Sequence, residues 1–147
     1  MLIKFTPEQI SRLWPDMAGG LITSLPPQMR DDIESVSNLL ESLLNGKAEC
    51  WISYDATEEG AKVHGAVITM FHVDDITRTR NMIIYAVYGI HTSQHKHWIE
   101  GYETLRKWAK HNNCKEIVAY SNVPQIVNIA KKLGADTSYS LIQLPIE

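Results

Sequence analysis

The sequence predicts an α/β protein built on one mixed sheet, with helices on both faces of that sheet. Three observations carry this expectation. The hydrophobic period changes from about 3.6 to about 2 after Gly46 and returns to 3.6 near His95. Between those points, three strand-like runs are spaced for an antiparallel meander. The third run, Met82-Ile83-Ile84-Tyr85-Ala86-Val87-Tyr88, is apolar almost throughout, as a central strand covered on both faces should be. The order reads β-α-α-β-β-β-α-β-α-β.

Leu2-Ile3-Lys4-Phe5 alternates as a short first strand. Thr6-Pro7-Glu8-Gln9 then reads as a helix start. Thr6 can cap, Pro7 suits a first turn whose amide has no partner, and Gln9 can reach back to close a capping box. Ile10, Leu13, Trp14 and Met17 share a face, and Pro15 with Gly19-Gly20 predicts a short or bent helix. Beyond Pro26-Pro27, a second helix is expected from Met29 to Leu44. Its apolar stripe is Met29, Ile33, Val36, Leu40, Leu43 and Leu44, and Gly46 follows its end. Such a stripe suits a core face more readily than a groove filler for a partner.

Cys50 to Tyr54 reads as the first meander strand, with Asp55 to Gly60 as its turn. Val63 to Val73 and Met82 to Ile90 are the second and third. From His95 a helix presents Trp98, Tyr102, Leu105, Trp108 and Ala109 on one face and ends at His111-Asn112-Asn113. Ile117-Val118-Ala119-Tyr120 is a short buried-type strand, expected to lie parallel to the third meander strand through a right-handed crossover. Ile126, Ile129, Ala130 and Leu133 mark a last helix, closed by Gly134. Ser138 to Leu144 alternates as a final strand.

Composition sets bounds around this pattern. The 147 residues suit one domain, and 44% apolar with 21% charged residues exclude general disorder. A net charge of -3 argues against nucleic-acid binding through bulk charge. No apolar run is long enough to span a bilayer and no signal-peptide pattern opens the chain, so the expectation is an intracellular protein that is not secreted. Cys50 and Cys114 form no CxxC and read as two buried thiols in a reducing compartment rather than a disulfide.

This order, and the segment Asn122-Val123-Pro124-Gln125-Ile126-Val127-Asn128-Ile129-Ala130-Lys131-Lys132-Leu133-Gly134-Ala135, resemble the GNAT-type N-acetyltransferases. That family has an Asn-led last helix ending in Lys-Leu-Gly-Phe. More narrowly, the chain is similar to small GNAT-like proteins of tailed bacteriophages, some of them internal virion proteins, which pair a Trp-containing helix with a short final helix. The resemblance implies acetyl-CoA as cofactor and places the protein in the host-cell cytoplasm or in a virion. For the phage-type group it also implies self-association or virion protein partners.

The resemblance further implies where the cofactor would lie. The family holds the pyrophosphate with a loop reading Gln/Arg-x-x-Gly-x-Gly/Ala at a helix N-terminus, where backbone amides and the helix dipole favour an anion. Here the loop is Ile90-His91-Thr92-Ser93-Gln94-His95-Lys96-His97. Gln94 takes the leading position, but His97 and Ile99 stand where the glycines belong. A splayed strand should pair its backbone with the pantetheine arm, and Gly89 stands where the accompanying bulge is expected. The implied cofactor-binding residues are therefore Val87, Gly89, Gln94, His95, Lys96 and Asn122. The same basic stretch also reads as an ordinary solvated loop.

No catalytic residue is assigned. The last-helix Tyr that would protonate the leaving thiolate is replaced by Ala130, and the Phe after the closing Gly by Ala135. Tyr88, Tyr120 and Tyr139 are nearby alternatives. His64, His72 and Tyr85 are candidate bases, although a strand histidine is more often structural. His91, His95 and His97 offer an i, i+4 pair for a metal, but no Cys, Asp or Glu lies in that run to complete a site, so none is expected. These departures favour a GNAT-like protein degenerate in acetyl-CoA chemistry, acting as a binding or structural component. The alternative is an active N-acetyltransferase with an atypical phosphate loop.

Overall fold

A computed structural model describes residues 1–24, 33–89 and 95–146, with residues 17–24 and 33 described as backbone only. The elements are β1 (Leu2–Lys4), α1 (Pro7–Ser24), α2 (Ile33–Leu44), β2 (Ala48–Thr57), β3 (Gly60–Val73), β4 (Arg80–Tyr88), α3 (His95–His111), β5 (Glu116–Ala119) and α4 (Pro124–Lys132). The strands form one sheet in the order β1-β2-β3-β4-β5. The first four are antiparallel, and β5 lies parallel to β4.

The capping box forms as expected: the Thr6 amide donates to Gln9 Oε1 at 2.9 Å and the Gln9 amide to Thr6 Oγ1 at 3.3 Å. The helix it opens is not short, however. It continues through Pro15 and Gly19-Gly20 to Ser24. Met29, where α2 was expected to begin, lies outside the described residues. The α2 stripe is also rotated by one position from the expected one. Leu39 and Leu43 are buried, whereas Leu44 remains 39% exposed.

Two cores sandwich the sheet. On one face α1 and α2 bury Ile10, Leu39 and Leu43 against Cys50, Ile52, Ala66, Ile68 and Ala86. On the other, α3 buries Leu105 and Ala109 against Leu2, Trp51 and Met82. Side chains alternate along β2, so Glu49, Trp51, Ser53 and Asp55 share the α3 face. Glu49 uses that position to pin the helix. Its Oε1 accepts from Trp108 Nε1 at 3.1 Å, and its Oε2 pairs with Lys4 Nζ at 3.1 Å. Lys4 in turn lies 4.2 Å from the Trp108 ring centroid, a cation–π contact. The buried Trp51 Nε1 donates to Thr69 Oγ1 at 3.0 Å, so each satisfies the other.

Two register shifts interrupt the alternation. Between β2 and β3, Ser53 faces Gly65 but Tyr54 faces Val63, leaving His64 as an extra residue on β3. Between β3 and β4, Ile68 faces Ala86 but Thr69 faces Ile84, leaving Tyr85 extra on β4. Each bulge reverses which face the following residues occupy. The expected bulge at Gly89 is therefore at Tyr85. Gly89 has another role: at φ +84, a Cβ there would run into the His64 carbonyl oxygen, and one on Gly65 would run into the Tyr88 carbonyl oxygen. The two glycines let the bulged part of β3 and the end of β4 meet backbone to backbone.

The strand expected at Ser138–Leu144 does not form; residues 135–146 carry no strand. Asp136 Oδ1 accepts from the Ser138 amide at 2.9 Å and from its hydroxyl at 2.6 Å, which turns the chain. Beyond it Tyr139 is 87% exposed and Leu144 81%. An alternating pattern makes a strand only when an edge receives it, and no strand flanks the outer side of β5 among the described residues. No helix is long and apolar enough to cross a membrane among the described residues.

Both cysteines are free thiols, as expected, but only Cys50 is buried; Cys114 is half-buried. Burial pushes the Cys50 thiol up to about 12.

Two predictions follow from this packing. Gly65→Ala and Gly89→Ala should each destabilise the protein by about 1–3 kcal/mol, because backbone must move to admit the methyl group. Gly101→Ala, in helix α3 with only an ordinary 3.8 Å contact to Leu2, should instead be neutral or stabilise by up to about 1 kcal/mol. Urea unfolding of the three variants checks the contrast. Native-state alkylation at pH 8 followed by mass spectrometry should label Cys114 well before Cys50, with Cys50 reacting only as the protein unfolds.

Candidate functional site

The sheet opens at one end. The β4–β5 ladder runs from Asn81 opposite Glu116 to Ile84 opposite Ala119, where β5 stops. β4 continues to Tyr88, and the Tyr85 bulge falls at the first residue beyond the shared ladder. From Tyr85 to Tyr88 this strand has β3 on one side and no strand on the other among the described residues. Beyond Ile84 the outer edge of β4 therefore has no ladder partner among the described residues.

Helices α3 and α4 flank a groove of about 420 Å³ lined by His95, Trp98, Gln125, Asn128, Ile129 and Lys132. The four α4 residues fall at i, i+3, i+4 and i+7, one face of the helix. Trp98 Nε1 is buried and has no hydrogen-bond partner among the described residues. A buried indole N–H without an acceptor is costly, so this Nε1 would gain from an oxygen acceptor brought within reach.

The structure separates the residues singled out in the sequence. Val87, opposite Val67 on β3, takes the α3 face of the sheet beside the opening. Gly89 ends β4 and serves the close approach to β3. His95 lines the groove, Lys96 is exposed and near enough to Asp55 for its charge to act there, and Gln94 lies outside the described residues. Asn122 is exposed ahead of α4. Among the candidate bases, His72 is exposed and pairs with Asn81, at the opposite end of β4 from the opening. Tyr85 sits at the bulge, half-buried against the α1–α2 core, and burial raises its pKa. Tyr88 and Tyr120 are exposed, one at the end of β4 and the other immediately after β5. Tyr139 is in the exposed tail.

The histidines of the expected phosphate loop divide. His91 is outside the described residues, His95 faces the groove, and His97 turns inward. It begins the buried stripe of α3, one residue before the Trp98 expected to lead it. There His97 stacks on His64 with ring centroids 3.9 Å apart and planes at 28°. Both rings place Nε2 on Asp55 Oδ2, His64 at 2.8 Å and His97 at 3.2 Å. These hydrogen bonds, from His64 first and His97 second, hold the Asp55 carboxyl down to about 2. Asp55 was expected in a turn. It lies instead within β2, because the hairpin closes later, with Thr57 opposite Gly60. The β3 bulge turns His64 toward α3, where plain alternation with Ala66 would have aimed it at α1 and α2.

No family model matches the sequence, and no curated protein is significantly similar to it. Solved structures match over nearly the whole chain. A predicted acetyltransferase from Clostridium acetobutylicum, solved with acetyl-CoA, has a TM-score of 0.68 at 20% identity, covering 99% of this chain and 95% of that one. A ribosomal-protein-alanine N-acetyltransferase from Brucella melitensis biovar Abortus 2308 has a TM-score of 0.66 at 17% identity, covering 99% of both chains. A transcriptional regulator from Bacillus halodurans C-125 reaches 0.72 at 12% identity, also over 99% of both. The chain therefore has the GNAT acetyltransferase fold, with a five-stranded mixed sheet and four helices among the described residues. At these identities the likeness concerns fold, and fold alone does not assign an activity. None of the three is a bacteriophage protein.

Proposed function

We propose that the protein is an acetyl-CoA-binding, N-acetyltransferase-like protein that holds the cofactor between the open end of the sheet and the α3–α4 groove. The observation that carries this reading is the coincidence of two features: β5 ends where the β4 bulge begins, and α3 and α4 flank a groove whose wall residue Trp98 has a buried indole N–H with no acceptor among the described residues. The Clostridium acetyltransferase solved with acetyl-CoA supports it through the shared fold.

In this arrangement the β4 edge at Ala86–Tyr88, which has no strand opposite β3 among the described residues, binds the amide-bearing arm of the cofactor as an added strand would bind. Val87 lies beside it, and the indole N–H of Trp98 donates to an oxygen of the ligand. His95, Lys96 and Lys132 supply basic groups at the groove for its phosphates, and Gln125 and Asn128 supply hydrogen bonds. When bound, acetyl-CoA supplies an acyl group activated as a thioester. Tyr85, Tyr88 and Tyr120 are the hydroxyls nearest the opening in chain position. Tyr85, its pKa raised by burial, is protonated at neutral pH, the state in which a hydroxyl can give a proton to a departing thiolate.

A second reading is favoured by one specific departure. Helix α4 carries Ala130 where the resemblance calls for the Tyr that donates this proton, and His97 is committed to Asp55 rather than free in a phosphate loop. Under that reading the protein keeps the fold, and a binding or structural role replaces the chemistry. A cytoplasmic or virion location and association with itself or with virion proteins belong to this second proposal.

Calorimetric titration with acetyl-CoA separates binding from its absence. The first reading expects a Kd of about 1–100 µM, weakened roughly tenfold by Trp98→Ala. No binding at about 1 mM would overturn it. A free-thiol assay with a panel of primary amines then divides the readings: binding with turnover supports the enzyme, and binding without turnover supports the non-catalytic role.

A further inference from the structure

Away from the α3–α4 groove lining, three metal-ligating side chains converge from separate elements. Asp55 comes from β2, His64 from the β3 bulge, and His97 from the first turn of α3. Their donor atoms all lie within 4.8 Å of one another. We propose that Asp55, His64 and His97 bind one divalent first-row transition ion, with zinc the best fit.

The geometry is close to what zinc needs. Zinc binds imidazole nitrogen and carboxylate oxygen at about 2.0–2.2 Å, which places tetrahedral ligands roughly 3.3–3.5 Å apart. The two Nε2 atoms stand 2.8 and 3.2 Å from Asp55 Oδ2. Parting His64 from Asp55 by about 0.5–0.7 Å and His97 from Asp55 by about 0.1–0.3 Å, with the Nε2 protons released, makes room for the ion. The two rings already stack side by side and present the same nitrogen to the same point.

Ligand chemistry narrows the ion. Two imidazoles and one carboxylate suit zinc and its transition-metal neighbours, whereas calcium and magnesium prefer sites built from oxygen. The imidazoles are buried, but the Asp55 side chain is 38% exposed. The ion therefore enters from the Asp55 side and retains a water or an outside ligand there, as three-ligand zinc sites do. The site also bridges the β2–β3 hairpin and the start of α3, so occupation ties the helix to the sheet and stabilises the folded state by mass action.

None of this depends on acetyl-CoA. The sequence hid the site because its ligands are 9 and 42 residues apart, and because Asp55 lies outside the histidine-rich stretch.

The test uses the full chain stripped with a chelator and dialysed. Titration with Zn²⁺ against a chromophoric competitor should show one equivalent bound with a Kd below about 1 µM. A saturating excess of Zn²⁺ should raise the melting temperature by about 5 °C or more. Replacing Zn²⁺ with Co²⁺ should give visible d–d absorption that saturates at one equivalent. His64→Ala and His97→Ala should each weaken Zn²⁺ binding at least about 100-fold, whereas His72→Gln, at the far end of β4, should bind as the unaltered protein does. If either histidine variant fails to fold, Asp55→Asn, altering the most exposed of the three ligands, carries the same expectation. Absence of saturable binding below about 100 µM, or unchanged affinity in the folded ligand variants, would overturn the proposal.

Discussion

At Gly65 and Gly89 the bulged part of β3 and the end of β4 approach so closely that neither position has room for a Cβ. Much of the functional end of the molecule depends on this approach. It accommodates the extra residue His64 on β3, and that residue turns toward α3. The first turn of α3 answers with His97, and Asp55 on β2 receives both imidazoles. One backbone constraint therefore links the hairpin, the central strand and the helix start.

The second bulge works on the other edge of β4. Tyr85 is inserted where β5 has just ended, so the strand changes the faces of its side chains as it loses a neighbour. These two bulges give the same end of the sheet two different chemical environments: an open strand edge, and a compact cluster of imidazoles around one carboxylate. The proposed acetyl-CoA site draws on the first, and the proposed ion site on the second.

Several parts of the molecule were legible from residues alone. The Thr6–Gln9 capping box, the meander, the parallel β4–β5 step and the burial of both sheet faces follow from local hydrogen-bonding capacity and hydrophobic period. The errors have physical causes. Pro15 and Gly19-Gly20 lower helix propensity, yet α1 continues through them to Ser24, an outcome propensity alone does not decide. Ser138–Leu144 has the right alternation but no edge that receives it. The α4 groove face, at Gln125, Asn128, Ile129 and Lys132, carried a readable i, i+3, i+4, i+7 signal, but the apolar spacing of Ile126, Ile129, Ala130 and Leu133 drew attention to another face.

By itself the sequence determined the order and type of most elements, because a helix or a strand declares itself in spacing over 4 to 18 residues. It also determined that Ala130 and Ala135 stand where the resemblance implies Tyr and Phe, since these are identities rather than arrangements. The tertiary structure alone decided where β4 is bulged, that Gly89 serves a strand contact, and that His97 turns inward to Asp55. A bulge is one residue of register between two strands, and register depends on packing between segments that are distant in the chain. A reversal of facing at His64, set by that register, brought Asp55, His64 and His97 to one point.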